Sequence, residues 1–239
     1  MLSIVIPAWN AAAHIPRTLA ALKACGIAGE IVVADANSSD GTAAEAARLG
    51  ARVVAAARGR GVQLHAGAAA AHPDRGASFN ARGDSPAHGD WLLFLHADTV
   101  PGPGFAAAVT RFIADPANQD RAGFFRLRFA DPTRAARIIE WLANWRAHML
   151  GLPYGDQGLL LSRALYDRTG GFPPFPIMED VAMVRRLGRR RLVQLDAELV
   201  TSAERYRRDG YLVRPLRNLV CLALYFLGVA PARIARIYD

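Results

Sequence analysis

Lysine is almost missing from this chain of 239 residues: Lys23 stands alone among 29 basic side chains. The net charge of +8 is therefore carried by arginine. A nucleic-acid interface would call for a basic helix or basic–aromatic interleaving on one face, and neither is present, so nucleic acid is excluded as a partner. Arginine suits bidentate contacts to phosphorylated small molecules instead. Cysteine is scarce as well. Cys25 and Cys221 have no motif spacing, which excludes a disulfide framework and points to a reducing compartment. Met1–Pro7 lacks a cationic start and reads as a strand, not a leader. The longest apolar stretch near the C-terminus, Leu219–Ala230, is too short to span a bilayer. No G-x-G-x-x-G follows a strand, so the dinucleotide fingerprint is absent too.

What is present is a core-forming pattern, with hydrophobic residues at 52% of the chain. Leu2–Pro7, Ile31–Ala34 and Ala51–Ala55 read as strands, separated by helices over about His14–Ala24 and through Leu49. Strands alternating with helices at this spacing predict an α/β fold with a mostly parallel sheet. Asp35-Ala36-Asn37-Ser38-Ser39-Asp40-Gly41-Thr42 reads as a turn that supplies N-cap residues to the helix after it. Polar, turn-rich Pro73–His88 is expected to be a surface insertion in a domain covering 1–210. Residues 211–239 read as one helix with an apolar centre and flanking arginines. It is expected to pack on the domain, with anionic lipid or a homodimer contact as the alternatives. Arg134–Leu150 is also helical, and its Trp141 and Trp145, spaced i, i+4, are expected in the core or at a helix contact, with a sugar platform as the alternative.

The chain is organised around Asp90–Thr99, DWLLFLHADT. Trp91–Leu95 has the unbroken apolar pattern of a strand buried on both faces, and it stops at His96-Ala97-Asp98. In extended backbone His96 and Asp98 would point to the same side, at the strand end where open α/β sheets bind ligands. A carboxylate and an imidazole there can hold a divalent cation against a phosphate. Arg58 and Arg60 flank a helix N-terminus, a natural diphosphate site, with a solvated glycine-rich turn as the equal alternative. Glu179 and Asp180 open a helix, either as favourable first-turn acids or as a carboxylate base beside a substrate hydroxyl.

Taken in order, Ile6-Pro7-x-x-Asn10, Ser38-Ser39-Asp40-Gly41-Thr42, the His96-Ala97-Asp98 strand end, Tyr154-Gly155-Asp156-Gln157-Gly158, Gly170-Gly171-Phe172-Pro173, Met178-Glu179-Asp180 and Thr201-Ser202-Ala203 resemble family 2 glycosyltransferases of the GT-A type. Within them they resemble the subgroup labelled as arsenosugar-biosynthesis or radical-SAM/selenodomain-associated transferases. The resemblance implies a GT-A (Rossmann-like) mixed, mostly parallel sheet flanked by helices. It implies inverting, metal-dependent transfer of a sugar from a nucleotide-sugar donor, UDP by default, to a small-molecule or lipid-linked acceptor. Pro7, Ala8 and Trp9 would wall the base pocket, Asp35 would read the base, and Arg58, Arg60 and Ala97 would lie along the nucleotide. Asp98, with His96 in place of the usual first acid, would ligate Mn or Mg. The chain has no histidine after His148 to supply the late ligand that many relatives use. Asp180 would be the base, Glu179 would orient it or touch the acceptor, and Asp156 and Gln157 would hold acceptor or sugar. The expected place of action is cytoplasmic, with the inner membrane face as the alternative. A sugar-nucleotide pyrophosphorylase is the enzymatic rival, but Ala8-Trp9-Asn10-Ala11-Ala12-Ala13 lacks its basic glycine-rich loop. A degenerate binding module is the non-enzymatic one.

Overall fold

A computed structural model describes residues 1–71 and 91–238, so the expected insertion at 73–88 lies outside the described residues. One sheet of eight strands runs through the molecule in the order β3-β2-β1-β4-β7-β6-β8-β5. Its first half is parallel: β1 (Leu2–Ala8), β2 (Glu30–Asp35), β3 (Arg52–Ala55) and β4 (Trp91–Phe94). The helices α1 (Ile15–Ala24), α2 (Thr42–Arg48) and α3 (Arg60–Ala70) alternate with these strands. All four residues of β4 are buried, as an apolar run covered on both faces requires.

The second half comprises β5 (Thr99–Pro101), α4 (Phe105–Ala114), β6 (Ala122–Phe129), α5 (Arg134–Leu150), β7 (Leu159–Ser162), α6 (Arg163–Arg168), α7 (Glu179–Leu187) and β8 (Leu192–Thr201). Here β7 runs antiparallel to β4 and β6, β8 pairs in parallel with β6, and β5 pairs antiparallel with β8 at the sheet edge. β4 ends at Phe94, and the short β5 that follows the turn is a separate strand closed by Pro101, which an edge position permits. Because β2 and β3 extend from one side of β1 and β4 lies on the other, the strand order reverses at β1/β4. Ligand crevices form at the carboxyl ends of strands at such a point.

Two expectations are corrected by the packing. Trp141 and Trp145 are not core residues: they are 64% and 48% exposed. The face of α5 that is buried carries Ala136, Glu140, Ala143 and Ala147. These small residues let α5 sit close to β6, and Glu140 Oε1 accepts from the Phe129 backbone N–H at 2.6 Å, so the bulky side chains are left outside. The C-terminal segment is three helices and not one: α8 (Glu204–Asp209), α9 (Val213–Phe226) and α10 (Pro231–Tyr238). Gly228, at φ +84°, turns the chain between α9 and α10, and Pro231 opens α10 where its missing N–H costs nothing. Cys221 and Ile234 from this hairpin bury against Ile177, Met178 and Val181. Among the described residues no helix is long and apolar enough to cross a membrane.

Candidate active site

The loop after β1 forms the first wall. Trp9 is half exposed, and the Arg58 guanidinium lies 3.7 Å from its ring centroid, a cation–π stack. The polar cluster after β2 braces this loop. Ser38 Oγ accepts from the Asn10 N–H at 2.8 Å, Thr42 Oγ1 from Ala11 at 2.8 Å, and Asp40 Oδ2 from Ala12 at 2.9 Å. The expected N-cap role is fulfilled from one residue further out. Gly41 is the N-cap and has no side chain to give, so Asp40 accepts from the Thr42 N–H at 3.1 Å.

Asp35 is buried, and both of its oxygens accept from Ser38, one from the backbone N–H at 2.9 Å and one from the hydroxyl at 2.5 Å. It serves the brace and is not among the residues lining the cleft. Ala8 is likewise buried behind the wall, its carbonyl accepting from Gln63 Nε2 at 2.7 Å.

His96 and Asp98 do not share an extended strand. The ladder ends at Phe94, and Ala97 and Asp98 lie in a turn, held by the Thr18 hydroxyl donating to the Ala97 carbonyl at 2.7 Å. Both side chains still face the same cleft, a cavity of about 770 Å³ shared with Pro7, Trp9, Arg58 and Arg60. Thr201 Oγ1 donates to Asp98 Oδ1 at 3.4 Å. His96 Nε2 lies 3.1 Å from Arg60 Nη1. Arginine can only donate, so Nε2 accepts and the imidazole is neutral with its proton on Nδ1. Burial first, then the Arg60 and Arg205 guanidiniums, hold His96 well below the usual imidazole range.

Arg60 is the first residue of α3, and its Nε lies 2.7 Å from Glu179 Oε1. Gly61 makes this contact reachable. A Cβ there would sit 2.0 Å from the Pro173 carbonyl oxygen, so only glycine lets the first turn of α3 press against the loop before α7. Glu179 is fully buried, and burial raises its carboxyl to about 8, with Arg60 pulling the other way. It lies under the cleft floor against Arg60.

Asp180, the next residue, faces the cleft. Its Oδ2 accepts from the Gly155 N–H at 2.8 Å and its Oδ1 from Val181 at 2.7 Å. Met178, at φ +65°, supplies the left-handed N-cap residue that starts α7 in this orientation, a conformation costing a non-glycine residue about 1–2 kcal/mol. Asp156 lines the same cavity of about 100 Å³ as Asp180, Asp98 and Tyr154. Its Oδ1 is buried without a hydrogen-bond partner, and burial pushes its carboxyl up to about 6. Gln157, expected to hold acceptor or sugar, is instead fully buried beneath this loop. Its Nε2 donates to the Phe125 carbonyl and to Asn144 Oδ1, both at 3.3 Å, and its Oε1 accepts from Arg146 and Tyr154. It therefore bolts the loop to β6 and α5.

Three contributors escaped the sequence. Arg205 lines both cavities, and Tyr238 reaches both from α10, with the Arg214 guanidinium 4.2 Å from its ring. Asn218 of α9 lines the smaller cavity with a buried, unpartnered Oδ1. Arg205 follows the Thr201-Ser202-Ala203 run, which had no assigned chemistry. Nothing local marks Tyr238 or Asn218, because the turn at Gly228 brings them here.

Among the described residues no three His, Cys, Asp or Glu side chains form a metal-holding group. Asp98 offers a carboxylate, while His96 Nε2 is engaged by Arg60. The donor set suits a divalent ion held mainly by oxygens of a bound ligand, with Asp98 as the protein's contribution, and not a preformed cage.

Residues 3–175 match a family model described as Glycosyl transferase family 2. Comparison with curated proteins gives no match. Among solved structures, mannosyl-3-phosphoglycerate synthase from Rubrobacter xylanophilus is similar over 95% of this chain and 75% of its own, at 19% identity and a TM-score of 0.56. Glucosyl-3-phosphoglycerate synthase from Mycobacterium tuberculosis, solved with Mn2+, uridine diphosphate and glucosyl-3-phosphoglycerate, is similar over 84% of this chain and 70% of its own, at 22% identity and 0.52. A mannosyltransferase from Pyrobaculum calidifontis in complex with GDP-Man and Mn2+ is similar over 88% and 61%, at 19% identity and 0.55. At these identities the likeness is one of fold.

Proposed function

Because the chain belongs to glycosyl transferase family 2, and so is a glycosyltransferase using a nucleotide-sugar donor, we propose the specific chemistry its cleft performs: inverting transfer, with UDP as the default nucleotide and a divalent ion as cofactor. The observation that carries this is a continuous cleft. Pro7, Trp9, Arg58 and Asp98 line its larger cavity, and Asp156 and Asp180 line the smaller cavity that adjoins it.

The nucleobase stacks on Trp9, displacing or sandwiching the Arg58 guanidinium, with Pro7 at its edge. Arg58 and Arg205 meet the diphosphate; Arg60, tied to Glu179, adds positive charge from below. Asp98 would hold Mn or Mg together with the diphosphate oxygens, and such an ion supplies charge neutralisation of the leaving group when bound. Asp180 takes the proton of the acceptor hydroxyl. That oxygen bonds to the anomeric carbon as the bond to the nucleoside diphosphate breaks on the opposite face, which inverts the configuration. The Gly155 N–H fixes the Asp180 carboxylate for this. Asp156 and Asn218 each hold an unpartnered oxygen toward the acceptor, suited to accept from its other hydroxyls. Within the family we keep the chain with the arsenosugar-biosynthesis or selenodomain-associated subgroup that its Tyr154–Gly158 and Met178–Asp180 runs resemble. A cytoplasmic place of action accords with two free cysteines.

The test is calorimetric titration with UDP, GDP and their sugar conjugates in Mn, in Mg and in EDTA. Binding of one nucleotide that needs the ion and is lost in Asp98→Ala is expected. A folded protein that binds no nucleotide under any of these conditions would sink the donor site and leave a binding module.

A further inference from the structure

Two helix faces are left uncovered by the described residues. On α5, Ile138, Trp141, Leu142, Trp145 and Met149 form a stripe at i, i+3, i+4, i+7 and i+11 that is open to solvent. On α9 and its N-cap residue Leu212, the side chains of Leu212, Val213, Leu216, Leu219 and Val220 are likewise open to solvent, with Leu216 and Leu219 62% and 61% exposed. A monomer rarely leaves apolar surface of this extent in water.

The two helices are linked through the last turn of α7 and the Arg189–Arg191 turn that follows it. A Cβ at Gly151, which ends α5, would lie 2.9 Å from Arg189, and the Arg185 guanidinium lies 4.9 Å from the Phe226 ring at the end of α9. Arg185, Arg189, Arg190 and Arg191 are all exposed there. The stretch 211–238 contains no acidic residue; its Arg233 and Arg236 are exposed and Arg217 half-buried, while Arg214 is buried and pairs with Asp209 at 3.2 Å, and the only acid on α5 is the buried Glu140.

We infer that these faces form a docking surface for an anionic lipid bilayer. Tryptophans beside aliphatic side chains suit the headgroup boundary, and the exposed Arg185, Arg189, Arg190, Arg191, Arg233 and Arg236 are complementary to anionic headgroups. A second copy of this chain would bring the same arginines against themselves, which is why lipid is the occupant chosen. The surface borders the acceptor side of the cleft. Arg146 of α5 stacks on Tyr154 at 3.3 Å, and Asn218 of α9 lines the same cavity. A lipid-linked acceptor follows if the transfer chemistry proposed above holds, whereas the docking itself stands on membrane binding alone.

The experiment is co-sedimentation of the full chain with phosphatidylcholine vesicles, and with vesicles in which about a third of the lipid is phosphatidylglycerol. Binding to the anionic vesicles only, weakened by salt and reduced about tenfold or more by Trp141→Glu with Trp145→Glu, is expected. Leu216→Ser with Leu219→Ser should weaken it independently, and unchanged nucleotide affinity shows that the variants are folded. No binding to anionic vesicles at low salt overturns the inference. A dimer seen by analytical ultracentrifugation and lost in the same variants would assign the surface to a second copy instead.

Discussion

Arg60→Met removes the guanidinium beside Glu179 and leaves the carboxylate buried with no counter-charge at 2.7 Å. With the carboxyl protonated up to about pH 8, the gap to the parent opens only above that and grows by at most about 1.4 kcal/mol per pH unit. For a chain of this size that lowers the thermal midpoint by roughly 3–6 °C near pH ~9. The loss depends on pH, and the sign follows from Glu179. Burial raises its folded-state pKa from 4.5 to about 8, so the folded chain holds the proton more tightly than the unfolded one. The associated stability is therefore present at low pH and is lost as pH rises through about 8. Arg60 is the strongest group lowering that value. Without it the carboxyl is harder still to ionise, and the loss continues to higher pH. The gap between parent and variant should be small near pH ~5.5 and largest near pH ~9. Differential scanning fluorimetry across that range measures it. Equal midpoints at high pH, or a gap that does not widen, would refute the pairing. Adding Glu179→Gln to the arginine variant should recover part of the loss at high pH, since the orphaned charge is gone.

Asp180→Asn should lower kcat by about 10²–10⁴-fold with donor affinity retained, read from initial rates and from nucleotide titration. Asp156 is raised from 3.8 to about 6, so it contributes stability that falls away as pH rises through about 6; Asp156→Asn should flatten that part of the midpoint-against-pH curve, and an unchanged curve would count against its burial. Gln157→Leu strands the Tyr154 N–H and Asn144 and should cost about 2–3 kcal/mol in denaturant unfolding, where a pure acceptor contact would cost almost nothing. Trp9→Ala should weaken nucleotide binding by about 5–30-fold with little change in unfolding, because the ring is half exposed.

Much of the framework can be read from the chain because its local signals agree. The βαβ pattern over Leu2–Ala70 matches the strands and helices found, and the helix at 134–150 has the bounds its sequence suggests. What α5 hides is its orientation. Periodicity marks a helix with an apolar stripe, but Ala136, Ala143 and Ala147 face the sheet and the tryptophans face out, a choice made by how closely β6 approaches. The site divides in the same way. Trp9, Arg58, His96 and Asp98 sit at strand and helix ends that the pattern already locates, and they share a cleft. Asp35 and Gln157 are polar residues in the expected loops, yet their side chains turn inward to satisfy backbone groups, which composition cannot foretell. Tyr238 and Asn218 reach the cleft only through tertiary packing of the C-terminal hairpin. The Gly228–Pro231 break that permits it went unread, because it interrupts an apolar run that reads as one helix.

The salt link between α3 and α7 also bears on the order in which the chain can assemble. Every strand that walls the donor side up to Asp98 can pair while α7 is still being synthesised, but Arg60 then has no carboxylate beside it and Glu179 has no pocket. The floor of the cleft forms only when segments far apart in sequence meet, an event with a high loop-closure cost. Refolding should therefore show the parallel half gaining protection from hydrogen exchange before the amides of α7, and nucleotide-binding competence should arrive with the later phase.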